Sequence, residues 1–444
     1  MSSFEVEIHV GIDDCDSRVY TCTTYIAALI VEKLLALDCL FIDYPNLVRL
    51  NPAVPWKTRG NGAVALRFKY SNPDEVFNII LDTVKEFSDP SSNYGVVMHL
   101  GSIPLEAMDF ASRALWSILS VSEAFRIINR YGMMYSCRGD CRGVIGALAA
   151  LSNTLSGDHT YELLAYRTRE NVGGRIRGID PQSVVEMDKA TRPYTFNNYD
   201  YEKNRVLITP RGPDPVLLGI RGESAEAVLS AFKMLRIMEP YERYMIFRSN
   251  QGTAEHLRFE LNPCRLKAYT TGYILGSVAS KPEVGLGGHV YFYIESRGCR
   301  VRCAVYEPSG GLRKTALLLV PGDFVEVGGE VRRRTVKNPT VVNVEYIRII
   351  GLAEDFEYRN PRCPLCGRRM ESMGRGQGYR CRKCGLKGLK LNRERIVKPR
   401  MVKPGLYLPP LRSMRHLSKP YQRYGLEKKC VSIRFIDGWF HVSK

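Results

Sequence analysis

What this 444-residue sequence lacks removes whole classes of function. No apolar run approaches the ~20 residues that a membrane-spanning helix needs. No signal-like stretch opens the chain, because Glu5 and Glu7 interrupt it before an apolar run develops, so a cytoplasmic location is expected. No GxxxxGK[ST] occurs, which excludes an ordinary P-loop. Acidic residues are scarce at one end only. Residues 361–444 hold 22 Lys and Arg against Glu371, Glu394, Glu427 and Asp437, so this stretch carries the entire formal net charge of +18. A polyanionic partner is the natural expectation, since each neutralised phosphate releases counterions. Tyr379, Tyr407, Tyr421, Tyr424 and Trp439 lie among these cations, as in surfaces that stack single-stranded bases.

What is present begins with cysteine. Cys363 and Cys366, then Cys381 and Cys384, form two CxxC pairs 14 residues apart, the pattern of a tetrahedral zinc site with four thiolates. Four protein ligands leave no open coordination position, so the zinc would be structural. The other nine of the thirteen cysteines are expected to be mostly buried thiols rather than a disulfide framework.

The chain is long enough for about three domains. Between Cys264 and Leu352, short alternating runs ("HVYFYIES", "RVRCAVYE", "TALLLV", "DFVEVGGEVRRR", "VVNVEYIRII") are separated by turn residues, which predicts a small barrel such as an OB-fold. The first 262 residues mix both periods and predict α+β structure, with a strand at "AVALRFKY", a helix at "PDEVFNIILDTVKEFS" and continuous helix through "PLEAMDFASRALWSILSVSEAFRIINRYG". Near the start, alternation over Phe4–Val10 predicts a strand and the apolar spacing of Tyr25–Leu37 a helix. The turn between them crowds Asp13, Asp14 and Asp16. Three carboxylates this close repel by roughly a few kcal/mol at an effective dielectric near 20, unless a cation or a helix terminus stabilises them. Asp16 as a helix cap is the plainer alternative, although capping does not account for Asp13 beside Asp14.

Two glycine-rich stretches accompany the acids. "NPAVPWKTRGNGAVAL" sets Lys57, Arg59, Gly60, Asn61 and Gly62 before a strand, and "RGDCRGVIGALAAL" sets Arg138, Arg142 and Gly143 before a helix. Free amides at a helix start beside arginine make a phosphate cradle, while tight turns explain such glycines equally well.

"GIDDCDS", Cys22–Thr24, "LNPAVPWKTRGNGAVAL", "TPRGPDPVLLGIRGE", "SNQGTAEHL", the paired CxxC knuckles and "PPLRSMRHLSKP" occur in an order that, nearly end to end, resembles the archaeal tRNA-Ile 2-agmatinylcytidine synthetases. The resemblance implies an α+β multidomain protein: a split kinase-like domain (1–65 and 135–196), an inserted ferredoxin-like domain (66–134 and 197–262), an OB-fold β-barrel (264–352), a zinc ribbon (358–392) and a basic C-terminal extension (393–444). It further implies a ligase that uses ATP to activate the 2-oxygen of the wobble cytidine in the CAU anticodon of an isoleucine tRNA, which agmatine then displaces. On that resemblance Asp13, Asp14 and Asp16 hold Mg²⁺, Thr23 is the autophosphorylated threonine, and Lys57, Thr58, Arg59, Gly60, Asn61, Gly62, Arg142 and Gly143 meet phosphate. Asp214 is the candidate for agmatine, with a Pro-bracketed turn aspartate as the alternative. The sequence departs from the family at Cys15, where threonine is expected, and at "CRGDCRG", where a Cys137–Cys141 bridge is conceivable. Two other functions fit parts of the pattern: a non-catalytic tRNA or single-strand binding protein, and the same ATP chemistry with a different amine.

Overall fold

The computed structural model describes every residue except 1–4, 17–20, 58–59, 175, 213, 335–338, 390, 431, 444 and the side chain of 389. Thr58 and Arg59 therefore lie outside the described residues. In chain order the first half comprises β1 (Val6–Asp13), α1 (Thr23–Ala36), β2 (Leu40–Phe41), β3 (Asn46–Arg49), β4 (Gly62–Tyr70), α2 (Pro73–Phe87), β5 (Gly95–Leu100), α3 (Leu105–Ala114), α4 (Val121–Arg130), β6 (Met134–Cys137) and α5 (Gly143–Ser152). Next come β7 (Thr160–Arg167), α6 (Pro181–Thr191), β8 (Thr195–Phe196), β9 (Tyr199–Asp200), β10 (Arg205–Val206), β11 (Val216–Gly222), α7 (Ala225–Lys233) and β12 (Tyr241–Ser249).

These strands build one sheet in the order β6-β5-β1-β4-β3-β12-β7-β11-β8. Every neighbouring pair along it is antiparallel except β3 with β12, where Asn46 lies opposite Arg248 and Leu47 opposite Ser249. This parallel pairing is the seam between two half-sheets. Residues 66–134 supply β4 and β5, which flank β1 directly, and residues 135–196 spread over both halves. α1 packs on one face in a core that crosses the seam through Leu47, Leu164, Met245 and Phe247. α3, α4 and α5 cover the opposite face of the first half.

Buried polar groups lock the seam. The Arg248 guanidinium donates from Nε to Asp43 Oδ1 at 3.0 Å and from Nη1 to the carbonyl of Leu155 at 2.8 Å. Arg67 donates to Asn46 Oδ1 at 3.0 Å, and Ser249 Oγ to the Leu47 carbonyl at 2.6 Å.

Beyond the sheet lies a five-stranded barrel of β13 (Thr271–Val278), β15 (Val290–Ser296), β16 (Cys299–Val305), β17 (Phe324–Arg332) and β18 (Val341–Gly351), with β14 (Glu283–Val284) on its edge and α8 (Gly311–Leu317) inserted. Pairing of β13 with β15 closes it, and the parallel contact of β16 with β18 completes OB-fold connectivity. "TALLLV" starts in the last turn of α8 instead of forming a strand. Leu312, Ala316 and Leu319 plug the barrel at helical spacing, a period that so short an apolar run does not reveal. The long helix expected after Pro104 is likewise two helices, because Ser120 accepts a hydrogen bond from the Glu123 amide and starts α4 anew.

A ribbon of β19 (Asp355–Arg359) and β23 (Glu394–Lys398) leads to a small sheet of β20 (Glu371–Ser372), β21 (Tyr379–Arg380) and β22 (Lys387–Leu389). The C-terminal extension is not a loose basic tail. β24 (Gly405–Tyr407) adds to the barrel at β18, and β25 (Phe440–Val442) adds to the main sheet at β12. Arg400, Arg412, Arg415 and Arg423 pair with Asp323, Asp200, Glu330 and Asp158, all contributed by the first 360 residues. Trp439, expected on a stacking surface, is half-buried against the core, packed on Phe41, Tyr44 and Phe435. Four of the nine remaining cysteines are bridged, as Cys137–Cys141 and Cys264–Cys299, while Cys15, Cys22, Cys39 and Cys303 are buried thiols.

Removing one partner of a buried ion pair leaves an uncompensated charge, at a cost of about 3–5 kcal/mol. Asp43→Ala is therefore expected to lower the urea midpoint of unfolding by a corresponding amount. An unchanged midpoint would mean that the seam does not depend on this pair.

Candidate active site

The acids sit at the end of β1, in the middle of the first half-sheet. Asp13 closes the strand, and Asp14 follows with φ +54°. Asp13 can lie against α5 because residue 146 is glycine; a side-chain carbon there would overlap Asp13 Oδ2. Burial, and then the neighbouring Asp14, pushes Asp13 well above the usual carboxylate range. Asp14 is raised to about 6, first by burial and then by Asp16. Two acids held in unfavourable ionisation, facing a cleft, form a site that a cation would relieve.

That cleft, of about 640 Å³, is lined by Asp13, Asp14, Trp56, Lys57, Asn61, Arg142 and Gly146. Arg142 lies over the Trp56 ring at 5.7 Å and pairs with Asp140. The expected amide cradle at the start of α5 is already occupied. The Arg142 amide donates to Asp140 Oδ1 at 3.1 Å, that of Gly143 to the Asn93 carbonyl at 3.0 Å and that of Val144 to the Cys141 carbonyl at 3.1 Å. Gly143 is buried against Gly95, away from the cleft lining.

Asp16 and Thr23 face a second cleft, of about 920 Å³. Asp16 Oδ1 accepts from the Thr23 amide at 2.8 Å and from Thr23 Oγ1 at 3.1 Å, so Asp16 does cap α1. The Cys15 amide donates to Thr23 Oγ1 at 3.3 Å, and Cys15 itself is buried. The rest of this cleft includes Arg49, Gly62, Glu162, Asp214, Arg221 and His416. Asp214 is buried; its Oδ1 accepts from the Val216 amide at 3.1 Å and lies 3.7 Å from Arg177 Nη2. Glu162 accepts from Arg221 Nε at 3.1 Å and from Gln251 Nε2. His416 Nδ1 is 2.8 Å from Arg221 Nη2 and 3.0 Å from Gln251 Oε1. Burial, with Arg49 and Arg221 beside it, holds this imidazole neutral.

The three acids are thus divided, two to one cleft and one to the other, with Asn61 in the lining of the first and Gly62 in that of the second. A third cavity, of about 1060 Å³, lies between the barrel and residues 415–417, lined by Lys57, Gly60, Tyr269, Glu330, Arg332 and Arg415. Lys57 touches the first and third cavities, and burial followed by the Arg415 charge lowers its pKa. Asn61 has φ +49° and donates to the Asn51 carbonyl at 2.8 Å, fixing the loop.

Glu162, Arg49, Arg221, Gln251 and His416 do not stand out in the sequence. Their available signal is a lone charged residue inside an apolar strand ("TYELLAY", "NLVRL"), together with motif residues whose roles depend on long-range contact.

The four cysteines of the zinc pattern do converge, with ligand atoms all within 4.8 Å of one another. Gly367 and Gly385, at φ +69° and +73°, follow the second cysteine of each pair and turn the chain back. All-thiolate donors in this arrangement fit Zn²⁺, which would hold β20–β22 together around a core of little more than Cys363, Met370 and Cys381.

Two outcomes are expected. Asp14 has a raised folded pKa, so its contribution favours folding below about 3.8 and is lost as pH rises to about 6. In a chelator, Asp14→Asn should flatten the decline in thermal stability across that window; an unchanged slope would contradict the burial of this carboxyl. Cys363→Ser should reduce bound zinc below one per chain by elemental mass spectrometry and make residues 360–402 sensitive to protease. Full zinc retention would contradict the four-thiolate site.

Three family models match the chain. Residues 9–137 match a model of the TiaS TCKD domain, residues 141–256 the TiaS FLD domain, and residues 360–402 the TiaS C-terminal zinc ribbon domain. The isoleucine-tRNA 2-agmatinylcytidine synthetase TiaS of Cenarchaeum symbiosum is 43% identical over 422 residues, 94% of this chain and 93% of the relative. That of Archaeoglobus fulgidus is 40% identical over 429 residues, 96% and 100% of the two chains. A crystal structure of TiaS in complex with its isoleucine tRNA and ATP matches with a TM-score of 0.85 at 38% identity, and one of TiaS with that tRNA, AMPCPP and agmatine with 0.83 at 35%, each covering 94% of this chain and 97% of the other. The chain belongs to the TiaS family of isoleucine-tRNA 2-agmatinylcytidine synthetases.

Proposed function

We propose that this protein is an ATP-dependent tRNA-cytidine ligase that phosphorylates the 2-oxygen of the wobble cytidine in the CAU anticodon of an isoleucine tRNA and replaces it with agmatine, giving 2-agmatinylcytidine so that AUA is decoded as isoleucine. The observation that carries this reading is a pair of chemically different clefts that share neighbouring residues: Asp13, Asp14, Asn61 and Arg142 line one, and Asp16, Thr23, Gly62, Glu162 and Asp214 the other. Relatives alignable over nearly the whole chain form complexes with an isoleucine tRNA, ATP and agmatine.

A 2-oxygen is a poor leaving group until phosphorylated, so the protein's task is to orient phosphate and neutralise charge. Asp13 and Asp14 fit Mg²⁺, which when bound would neutralise the triphosphate and align its terminal phosphoryl group. Lys57 and Arg142 reach the same cleft and would meet the phosphate oxygens; Asn61 lines it as well, while Gly62 borders the second cleft and Gly60 the third. Asp16 orients Thr23 through two hydrogen bonds and keeps its hydroxyl at the cleft where phosphate would arrive. Agmatine's guanidinium needs a planar acceptor, and Asp214 in the second cleft remains the candidate, with Glu162 nearby as a second carboxylate. In this reading the kinase-like module is the half-sheet around β1 and the ferredoxin-like module the half around β7 and β12, in place of the split into 1–65 with 135–196 and 66–134 with 197–262 expected from the sequence. The third cavity's cations face the barrel and suit an RNA backbone.

The test is nucleoside mass spectrometry after incubation with unmodified CAU-anticodon isoleucine tRNA, ATP, Mg²⁺ and agmatine, each omitted in turn. A cytidine that gains agmatine with loss of water, only when ATP is present, is expected. Asp13→Asn and Asp14→Asn should abolish the adduct and leave tRNA affinity within about twofold. Tight tRNA binding with no adduct in the wild type would favour a binding protein, and an adduct of other mass another amine.

A further inference from the structure

The second cleft holds a guanidinium whose one ion pair among the described residues is long and shared. Arg49, the last residue of β3, has a side chain only 11% exposed. Its backbone is secured independently of its charge: the Arg49 amide donates to Asn250 Oδ1 at 2.8 Å and Asn250 Nδ2 donates to the Arg49 carbonyl at 2.9 Å, extending the seam by one residue. The guanidinium itself has one ion pair among the described residues, Nη2 to Glu162 Oε2 at 3.8 Å, and its Nε is buried without a partner. Glu162 is already engaged by Arg221 and Gln251. A buried, poorly paired cation costs several kcal/mol, and the sequence makes room for this one. A side-chain carbon at Gly62 would lie 2.7 Å from Arg49 Nη1, and one at Gly60 2.9 Å from it. These glycines, which resemble a phosphate cradle made of amides, here leave space for an arginine.

We infer that Arg49 is a catalytic residue that binds the phosphoryl group carried on the 2-oxygen of the cytidine and stabilises it as it departs. The inference rests on the function proposed above. Arg49 lines the cleft that holds Thr23, Asp16 and Gly62, and Asp14 and Asn61, close by in the chain, line the acid cleft, so a phosphoryl group that has left that cleft comes within reach of a planar, permanently charged donor. In the displacement, the neutral amine nitrogen forms its bond to C2 while the C2–O bond breaks, and the electron pair leaves on that oxygen. The amine proton passes to the departing group, so that a phosphate monoester dianion and an amine give the substituted cytidine and hydrogen phosphate. Charge develops on the leaving oxygen, and a preorganised guanidinium beside it stabilises that charge.

The experiment compares wild type, Arg49→Lys, Arg49→Gln and Arg49→Ala with γ-³²P-ATP, tRNA and agmatine, following the agmatine adduct and tRNA-bound label in parallel. Adduct formation should fall by roughly 100- to 1,000-fold in Arg49→Ala, the loss seen when a single preorganised donor is removed. Labelled tRNA should then persist, because phosphorylation proceeds while departure fails. Arg49→Lys should recover part of the rate and Arg49→Gln none, with the KM for agmatine unchanged in both. Arg49→Gln keeps the side chain's bulk and serves if the alanine variant does not fold. Wild-type adduct rates in the glutamine variant would overturn the inference, as would loss of label and adduct together or a raised KM at unchanged kcat. No adduct in the wild type would instead refute the parent reading.

Discussion

The ion pair between Arg248 and Asp43 is buried at the one place where the main sheet runs parallel, and the geometry of the second cleft follows from it. Arg248 also satisfies the carbonyls of Thr154 and Leu155, so a single guanidinium joins β12, the segment before β3 and the end of α5. Such a charge is costly to bury and equally costly to leave unpaired, which makes it an all-or-none lock between the halves. Once it is set, Asn250 reaches the backbone of Arg49, and Arg49 lines the same cleft as the threonine that starts α1. The register of two strands thereby decides the position of a cation relative to a hydroxyl.

Charge is distributed with the same economy in the rest of the molecule. The basic C-terminal residues find their counter-ions in acids of the sheet and barrel, and the acidic residues of the first 360 positions lose their apparent neutrality when those partners are counted. The third cavity gathers Lys57, Arg332 and Arg415 around Glu330, which pairs with both arginines.

Much of this was legible in the sequence wherever the signal is local. The CxxC pairs, the acids after an alternating strand, and the α2 signature of Asn72 and Pro73 each stand within a few residues of one another. The barrel was legible as a class, but α8 was not, because "TALLLV" has no length from which to judge a period. The glycines at 60 and 62 showed a tight approach without showing what approaches. Arg49, Glu162, Gln251 and His416 come from four separate stretches, and a lone charge in an apolar strand acquires meaning only when its neighbours are known. Trp439 misleads for the same reason: an aromatic among cations is ambiguous until the strand after it is seen to join the sheet.

The docking of the C-terminal extension has a consequence for how the enzyme comes into being. His416 stands between Arg221 and the 57–62 loop, and Arg423 lies fully buried against Asp158 and Glu223, yet both are made after the barrel and the zinc cluster. A growing chain thus has its acids and its threonine long before it has a closed cleft. Contacts that span several hundred residues form late because their loop entropy must be overcome first. Competence for chemistry arrives as one of the last steps of assembly, so a half-made chain carries the reactive groups without the enclosure that lets them act.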